Sequence, residues 1–61
     1  MRYVLFQINP VDQRELYVAR AEDNSLGLTP ILAAAIPFET ARLAYDFGAE
    51  NKLLDVKAGY R

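Results

Sequence analysis

The sequence contains no cysteine and no histidine. A disulfide therefore cannot hold the fold together, and the thiolate and imidazole ligands of a structural zinc site are missing. Catalysis by a thiol is excluded for the same reason. The single serine, Ser25, has no histidine to act as its base, so a serine triad is excluded too. We expect no metal, no cofactor and no enzymatic activity.

Acid–base chemistry by carboxylates is the remaining catalytic possibility. The closest pairs are Glu22 with Asp23 and Asp12 with Glu15, and both lie near predicted turns. A carboxylate needs burial or a close partner to shift its pKa. We therefore interpret both pairs as solvated surface charges. Residues 22–25 also lack the alternating oxygen ligands of a calcium loop, and the isolated glycines form no phosphate loop.

The chain also lacks an excess of either charge and a long apolar run. Seven Lys and Arg residues face eight Asp and Glu residues, which gives little attraction to nucleic acid or to anionic lipid. The first apolar run ends at Gln7, too early for a signal peptide or a membrane span. We expect a cytoplasmic protein that makes no membrane contact and has little tendency to bind nucleic acid.

The length of 61 residues allows one small domain, residues 1–61. A domain of this size buries only about 60% of the surface that its unfolded chain exposes, so it is marginally stable alone. A protein partner or a second copy of the chain would add buried surface.

Two predicted strands open the chain. Residues 2–8 are rich in β-branched and aromatic side chains and stop at Asn9-Pro10, and residues 15–21 have the same character. The short linker between them contains turn-forming residues, which favours an antiparallel hairpin. After the polar loop 22–25, residues 26–28 are compatible with a further short extended piece.

A broken helical region follows. Thr29-Pro30 is typical of a helix start, and Pro37 should end this first helix by about Ala35. Thr40 is a second candidate N-cap, after which residues 43, 44 and 47 define one apolar face of the main helix. Gly48 can close that helix, although it could also extend to Asn51.

Residues 53–58 alternate as a half-buried strand should, with Leu54, Val56 and Ala58 on one side. The predicted fold class is therefore α+β: a small antiparallel sheet, made of the hairpin and the C-terminal strand, packs on one main helix. The order is ββ(short helix)αβ. We expect Phe6, Leu43 and Phe47 to meet in the core between sheet and helix.

The pattern T-x5-A-x2-F-x-T-x3-A runs through Thr29, Ala35, Phe38, Thr40 and Ala44. It resembles the pattern of small phage- and prophage-encoded proteins built from a hairpin, a helix and a closing strand. Such families usually carry Glu at the third helical position, where this chain has a leucine. The resemblance implies an accessory protein of a mobile element, in a class that includes binders of host enzymes. It carries over no catalytic residue.

The first strand is apolar on both faces, whereas a single helix covers only one. We place the residues of the second face in a candidate interface: Tyr3, Leu5, Tyr17, Ala19 and Tyr60. Either the short helix 30–35 and Tyr60 fold across this face, or a partner binds it, because apolar patches with tyrosine commonly mark interfaces. Base stacking on the tyrosines is a third possibility, which the balanced charge disfavours.

We therefore predict a non-enzymatic binding protein, of phage or prophage origin, that binds and modulates a host protein. The first alternative is a structural homodimer or a subunit of a larger assembly. The second is a single-stranded nucleic-acid binder that uses the tyrosines of the sheet face.

Overall fold

The computed structural model describes residues 2–61 and confirms the predicted α+β fold. A four-stranded antiparallel sheet has the order β3-β2-β1-β4, and one α-helix packs against it. The elements are β1 (Tyr3–Ile8), β2 (Glu15–Arg20), β3 (Leu26–Thr29), the 3₁₀ turn (Leu32–Ala34), α1 (Ala41–Glu50) and β4 (Lys57–Tyr60).

Two hairpins build three of the four strands. In the β1–β2 loop the side chain of Asn9 accepts a hydrogen bond from the Val11 amide, and Gln13 adopts a positive φ of 61°. In the β2–β3 loop Asn24 has a φ of 68°, which asparagine tolerates better than most residues. The predicted hairpin is confirmed, and the short extended piece after it is the edge strand β3.

The main helix packs on the sheet face that carries Leu5 and Val18. Its two buried residues are small: Ala44 is fully buried, and a Cβ added at Gly48 would lie 3.5 Å from Leu5 Cδ1. These two positions let the helix approach β1 closely. We predicted that Phe6, Leu43 and Phe47 meet in the core between sheet and helix. This prediction is wrong for Phe6 and Leu43.

Phe6 lies on the opposite face of the sheet, with Val4 and Tyr17. Leu43 is 50% exposed on the outer side of the helix, and only Phe47 packs in the helix-side core. The alternation within each strand was predicted correctly. The two faces of β1 were assigned the wrong way round, whereas those of β2 were assigned correctly, with Val18 on the helix side and Tyr17 on the other.

The predicted break at Pro37 is confirmed. Residues 36–38 belong to no helix, and they insert between β1 and β2 where these strands separate. The Ile36 amide donates to the Val18 carbonyl at 3.1 Å, and Phe38 exchanges two backbone hydrogen bonds with Tyr3 at 2.9 and 2.8 Å. The chain thereby crosses from one face of the sheet to the other, since Ala35 packs beside Tyr17 and its neighbours whereas Ile36 packs under the helix.

The helix before this break is shorter than predicted. Instead of a helix over residues 30–35, the chain forms a single 3₁₀ turn. The Thr29 hydroxyl accepts a hydrogen bond from the Ile31 amide at 3.2 Å, but it caps no α-helix. The second predicted cap is confirmed, because Thr40 Oγ1 accepts from the Leu43 amide at 3.1 Å. Gly48 is internal to α1, which ends at Glu50.

The C-terminal strand begins later than predicted. Lys52 and Asp55 have positive φ angles of 55° and 62°, a left-handed conformation that is incompatible with a continuous strand. Residues 51–56 therefore form a loop, and Leu54 is 81% exposed instead of facing the core. The strand β4 starts at Lys57 and pairs with β1.

Candidate functional site

An apolar groove lies on the helix-side face of the sheet, above β2 and β3. It exists because α1 packs over β1 and β4, while only the loop 51–56 rises beside the other two strands. The groove has a volume of about 360 Å³, and its lining residues are Gln7, Val18, Leu26, Gly27, Leu28, Lys52, Leu53, Leu54 and Val56. One half of the helix-side face thus remains accessible.

The outer edge of β3 presents backbone groups that the sheet does not use. The Val18 carbonyl points away from β3, because it bonds to Ile36 on the β1 side. Leu28 lies directly opposite Val18, so this pair exchanges no hydrogen bonds and the backbone N–H and C=O of Leu28 point outwards. Leu26 is two residues away and has the same orientation. Neither residue's outward groups have a partner within residues 2–61.

This edge carries few of the usual protections against strand addition. Charged side chains, a proline or a bulge normally discourage pairing at an exposed edge. The four residues of β3 contain none of these, and the first proline, Pro30, follows the strand's last residue. The opposite edge differs, because β4 carries Lys57 and is followed by Arg61. Leu28 is also 46% exposed, so the β3 edge is apolar as well as open.

A second, smaller groove of about 280 Å³ lies on the other face of the same edge. Much of its lining is small, because Ala19 and Gly27 face each other across β2 and β3 and Ala34 of the 3₁₀ turn adds a third short side chain. The β3 edge is therefore flanked by an open groove on each side.

The charged groups that line these two grooves are cationic. Lys52 is the one ionised residue among those that line the larger groove. Arg20 is the one ionised residue that borders the smaller groove, but its guanidinium lies on the helix side of the sheet. The Arg20 guanidinium lies 5.6 Å from the centre of the Phe47 ring and donates to the Asn24 carbonyl. Lys52 forms no ion pair with any residue in the described part of the chain. Its ammonium group is therefore available to a ligand's carboxylate.

The structure separates the residues that the sequence placed in one interface. Leu5 is fully buried under α1, so it belongs to the core and not to an open surface. Tyr17 is buried on the opposite face. Ala19 is buried on that face too, because it lies two residues along the same strand. Tyr3 and Tyr60 do lie together, with ring centroids 5.1 Å apart, and Tyr60 is 52% exposed. No continuous surface contains all five residues.

A polar cluster covers the face on which Tyr17 lies. Glu15 accepts hydrogen bonds from the Arg61 guanidinium at 3.0 and 2.6 Å and from the Tyr17 hydroxyl at 2.9 Å. The Arg61 guanidinium also lies 4.7 Å from the centre of the Phe6 ring. Arg61 and the 3₁₀ turn, rather than Tyr60 and a short helix, therefore cover this face.

Hydrogen bonds within the cluster shift the pKa of each member. The bonds from Arg61 first, and from Tyr17 second, hold the pKa of Glu15 below its ordinary value. The bond to Glu15 raises the pKa of Tyr17 above its ordinary 10.0. It raises the pKa of Arg61 as well. Glu15 and Arg61 therefore form an ion pair with a structural role, and the Tyr17 hydroxyl donates a further hydrogen bond to the same carboxylate.

Two of the other carboxylates named for acid–base chemistry, Asp23 and Asp12, have local structural partners. Asp23 accepts hydrogen bonds from the hydroxyl and, second, from the amide of Ser25, and both lower its pKa. Asp12 accepts from the Arg14 amide and pairs with its guanidinium at 3.8 Å. Within residues 2–61 no group of three or more acidic side chains is placed to hold a metal ion.

None of the helices in the described residues is both long and apolar enough to cross a membrane.

Comparisons with protein-family models, with curated proteins and with solved structures found no match to this chain.

The residues of the groove were missed by sequence reasoning, although one signal was present. The uncharged run Leu26-Gly27-Leu28 was recognised as extended, but an edge position can be assigned only once the strand order is known. Leu53 and Leu54 line the groove because Lys52 and Asp55 beside them adopt left-handed backbone conformations. The alternating sequence predicts a strand here and gives no sign of these two conformations.

Proposed function

We propose that this chain is a non-enzymatic binding protein that recognises a protein partner at the β3 edge. The observation that carries this proposal is the combination of outward backbone groups at Leu26 and Leu28 with an apolar groove beside them. An open strand edge supplies hydrogen bonds to another backbone, and the adjoining groove supplies apolar contact and selectivity.

The partner's origin follows from the sequence pattern. Residues 29–44 resemble phage- and prophage-encoded accessory proteins, so the proposed partner is a protein of the host cell whose activity the chain modulates. This step rests on the resemblance, whereas the choice of surface rests on the geometry.

Self-association at the same edge is the second candidate. A strand edge that is free to accept a partner's backbone can also accept a second copy of itself, which would give a continuous eight-stranded sheet across a two-fold axis. Nucleic-acid binding has less support, because Tyr17 is buried against Glu15 and Tyr3 packs on Tyr60.

A matched pair of leucine substitutions tests the proposed surface. Leu28 and Leu43 are 46% and 50% exposed, but only Leu28 lies at the β3 edge. We expect Leu28→Lys to abolish retention of a specific host protein from lysate and Leu43→Lys to preserve it, as quantified by mass spectrometry.

Circular dichroism and thermal melting would establish that both variants remain folded. Equal retention by the two variants would place the binding surface elsewhere. Light scattering on the purified wild type separates the two candidates, because self-association at β3 would give a dimer that Leu28→Lys dissociates.

A further inference from the structure

We infer that the occupant of this site is an extended segment of the partner that joins the sheet as a fifth strand beside β3. The segment carries apolar side chains at every second position and an acidic side chain near Lys52. This inference rests on the proposed function and specifies the class of ligand.

The backbone of β3 fixes how such a segment would pair. Leu26 and Leu28 each offer one N–H and one C=O to the open edge, so an antiparallel ligand exchanges hydrogen bonds with these two residues and not with Gly27. Alternate amides of the ligand would therefore point at β3, and the amides between them would point away.

The same register determines where the ligand's side chains lie. Residues directly opposite each other in a sheet share a face. The ligand residues opposite Leu26 and Leu28 would project on the helix side, into the groove lined by Leu53, Leu54 and Val56. The residue between them would face the smaller groove beside Ala19 and Ala34, which leaves room for a side chain.

Lys52 supplies the expected charge preference. It is the ionised lining residue of the larger groove and has no carboxylate partner in residues 2–61. A ligand carboxylate beside Lys52 would form a charge-assisted contact at the edge of an apolar surface, where water screens it less than in the open.

A second copy of the chain fits the site less well than a single extended segment. The strand β3 has four residues, about 13 Å at ~3.3 Å per residue. A stable symmetric interface buries roughly 800 Å² on each partner, a substantial part of this chain's 4510 Å² of surface. An isologous contact would also place two concave grooves side by side, and neither would fill the other.

The experiment uses randomised short peptides displayed on yeast, selected against the full chain with counter-selection against Leu28→Lys. We expect the enriched peptides to carry apolar residues two positions apart, next to an acidic residue. A synthetic copy of the best peptide is then N-methylated at one amide at a time.

Methylation at amides that point to β3 should weaken binding about tenfold or more, because each removes a donor and adds bulk at the edge. Methylation at the intervening amides should have little effect. This alternation distinguishes an added strand from a peptide that merely fills the groove. The substitution Lys52→Glu should weaken binding several-fold, whereas Lys57→Glu, on the opposite edge, should not.

Three results would overturn the inference: no enrichment over the Leu28→Lys counter-selection, methylation effects without a two-residue period, or self-association that blocks the peptide. Suppose that no peptide is enriched, but the wild type retains a host protein from lysate that the Leu28→Lys variant does not retain. The extended-segment inference is then wrong, and the proposed function stands. If neither peptides nor a host protein depend on Leu28, both are wrong.

Discussion

The side chains of Phe6 and Arg61 lie so close to Gly59 that they leave no room for a Cβ atom at this position. A Cβ at this position would lie 2.6 Å from Phe6 Cε1 and 2.9 Å from the Arg61 guanidinium. The ring of Phe6 lies over this bare stretch of β4 in the way that aromatic residues often shield a glycine in a sheet. The buried ring cannot move aside without disturbing Val4 and Tyr17.

We therefore expect Gly59→Ala to lower the free energy of unfolding by about 1 to 3 kcal/mol through overpacking. Urea denaturation followed by circular dichroism measures this. Gly27→Ala is the control, since no atom lies within 4 Å of its added Cβ and its backbone φ is not positive. Equal effects of the two substitutions would show that the ring accommodates a methyl group.

Glu15 should give the fold a dependence on acidic pH. Its pKa in the folded state is depressed below 4.5, so its pairing with Arg61 stabilises the fold above that pH and is lost as pH falls through the folded-state pKa. The gain is modest, because both side chains are about 30% exposed.

Urea unfolding at neutral pH and well below pH 4.5 should show a smaller pH dependence for Glu15→Gln than for the wild type. Glu50→Gln is the control, because it removes a carboxylate at the exposed end of α1 that forms no ion pair within residues 2–61. Tyr17 gives stability a pH dependence in the opposite direction, because its pKa is raised in the folded state. Its contribution to the free energy of unfolding is present below pH 10.0 and is lost as pH rises through the folded-state pKa. A Glu15→Gln protein with an unaltered acid response would contradict this assignment.

At the scale of elements, the segment 36–38 holds the two central strands where they separate. Pro37 has no amide hydrogen and lies outside any helix or strand, so Pro37→Ala should retain the fold and cost less than about 1 kcal/mol. Ile36→Pro should cost more than Ile36→Ala, because only the proline removes the donor to the Val18 carbonyl.

Chemical denaturation gives the free energies of these three variants, and hydrogen exchange reports whether the Phe38 amide stays protected. A Pro37→Ala protein with increased helicity and an exposed Tyr3 would show that the proline alone prevents α1 from extending backwards. Equal stability of Ile36→Pro and Ile36→Ala would mean that the bond to Val18 contributes nothing.

Local chemistry made several of these elements predictable. The strand segments, the cap at Thr40 and the break at Pro37 each depend on neighbouring residues. The choice of buried face could not be made in that way, because β1 is apolar on both sides. That choice depends on the close approach permitted by Ala44 and Gly48, a property of two elements together. The groove likewise arises from how far one helix reaches across four strands.

At the scale of the whole molecule, two small hydrophobic clusters on opposite faces of the sheet stabilise the fold. At about 0.05 to 0.15 kcal/mol per residue, the chain's total stability is roughly 3 to 9 kcal/mol. Leu5 is fully buried at the centre of the helix-side cluster. Leu5→Ala should lower the free energy of unfolding by about 2 to 5 kcal/mol, a large share of that total, and lower the melting temperature strongly.

Tyr60→Ala is the matched comparison, since both residues were predicted to line one interface but Tyr60 is 52% exposed. We expect Tyr60→Ala to melt close to the wild type in a thermal scan. A cooperatively folded Leu5→Ala protein of nearly native stability would contradict the assignment of Leu5 to the core.

The inserted segment 36–38 also sets an order in which the chain can fold. The hairpin of β1 and β2 can close from its turn through only three residue pairs, Ile8 with Glu15 to Phe6 with Tyr17. Beyond that point the strands' inner hydrogen bonds go to Ile36 and Phe38. The hairpin can therefore form only these three pairs by itself. The rest of the two strands gains its inner hydrogen bonds only when residues 36–38, which are distant along the chain, are inserted. Such non-local closure is slow compared with hairpin formation, so the folding barrier should lie at the entry of this segment.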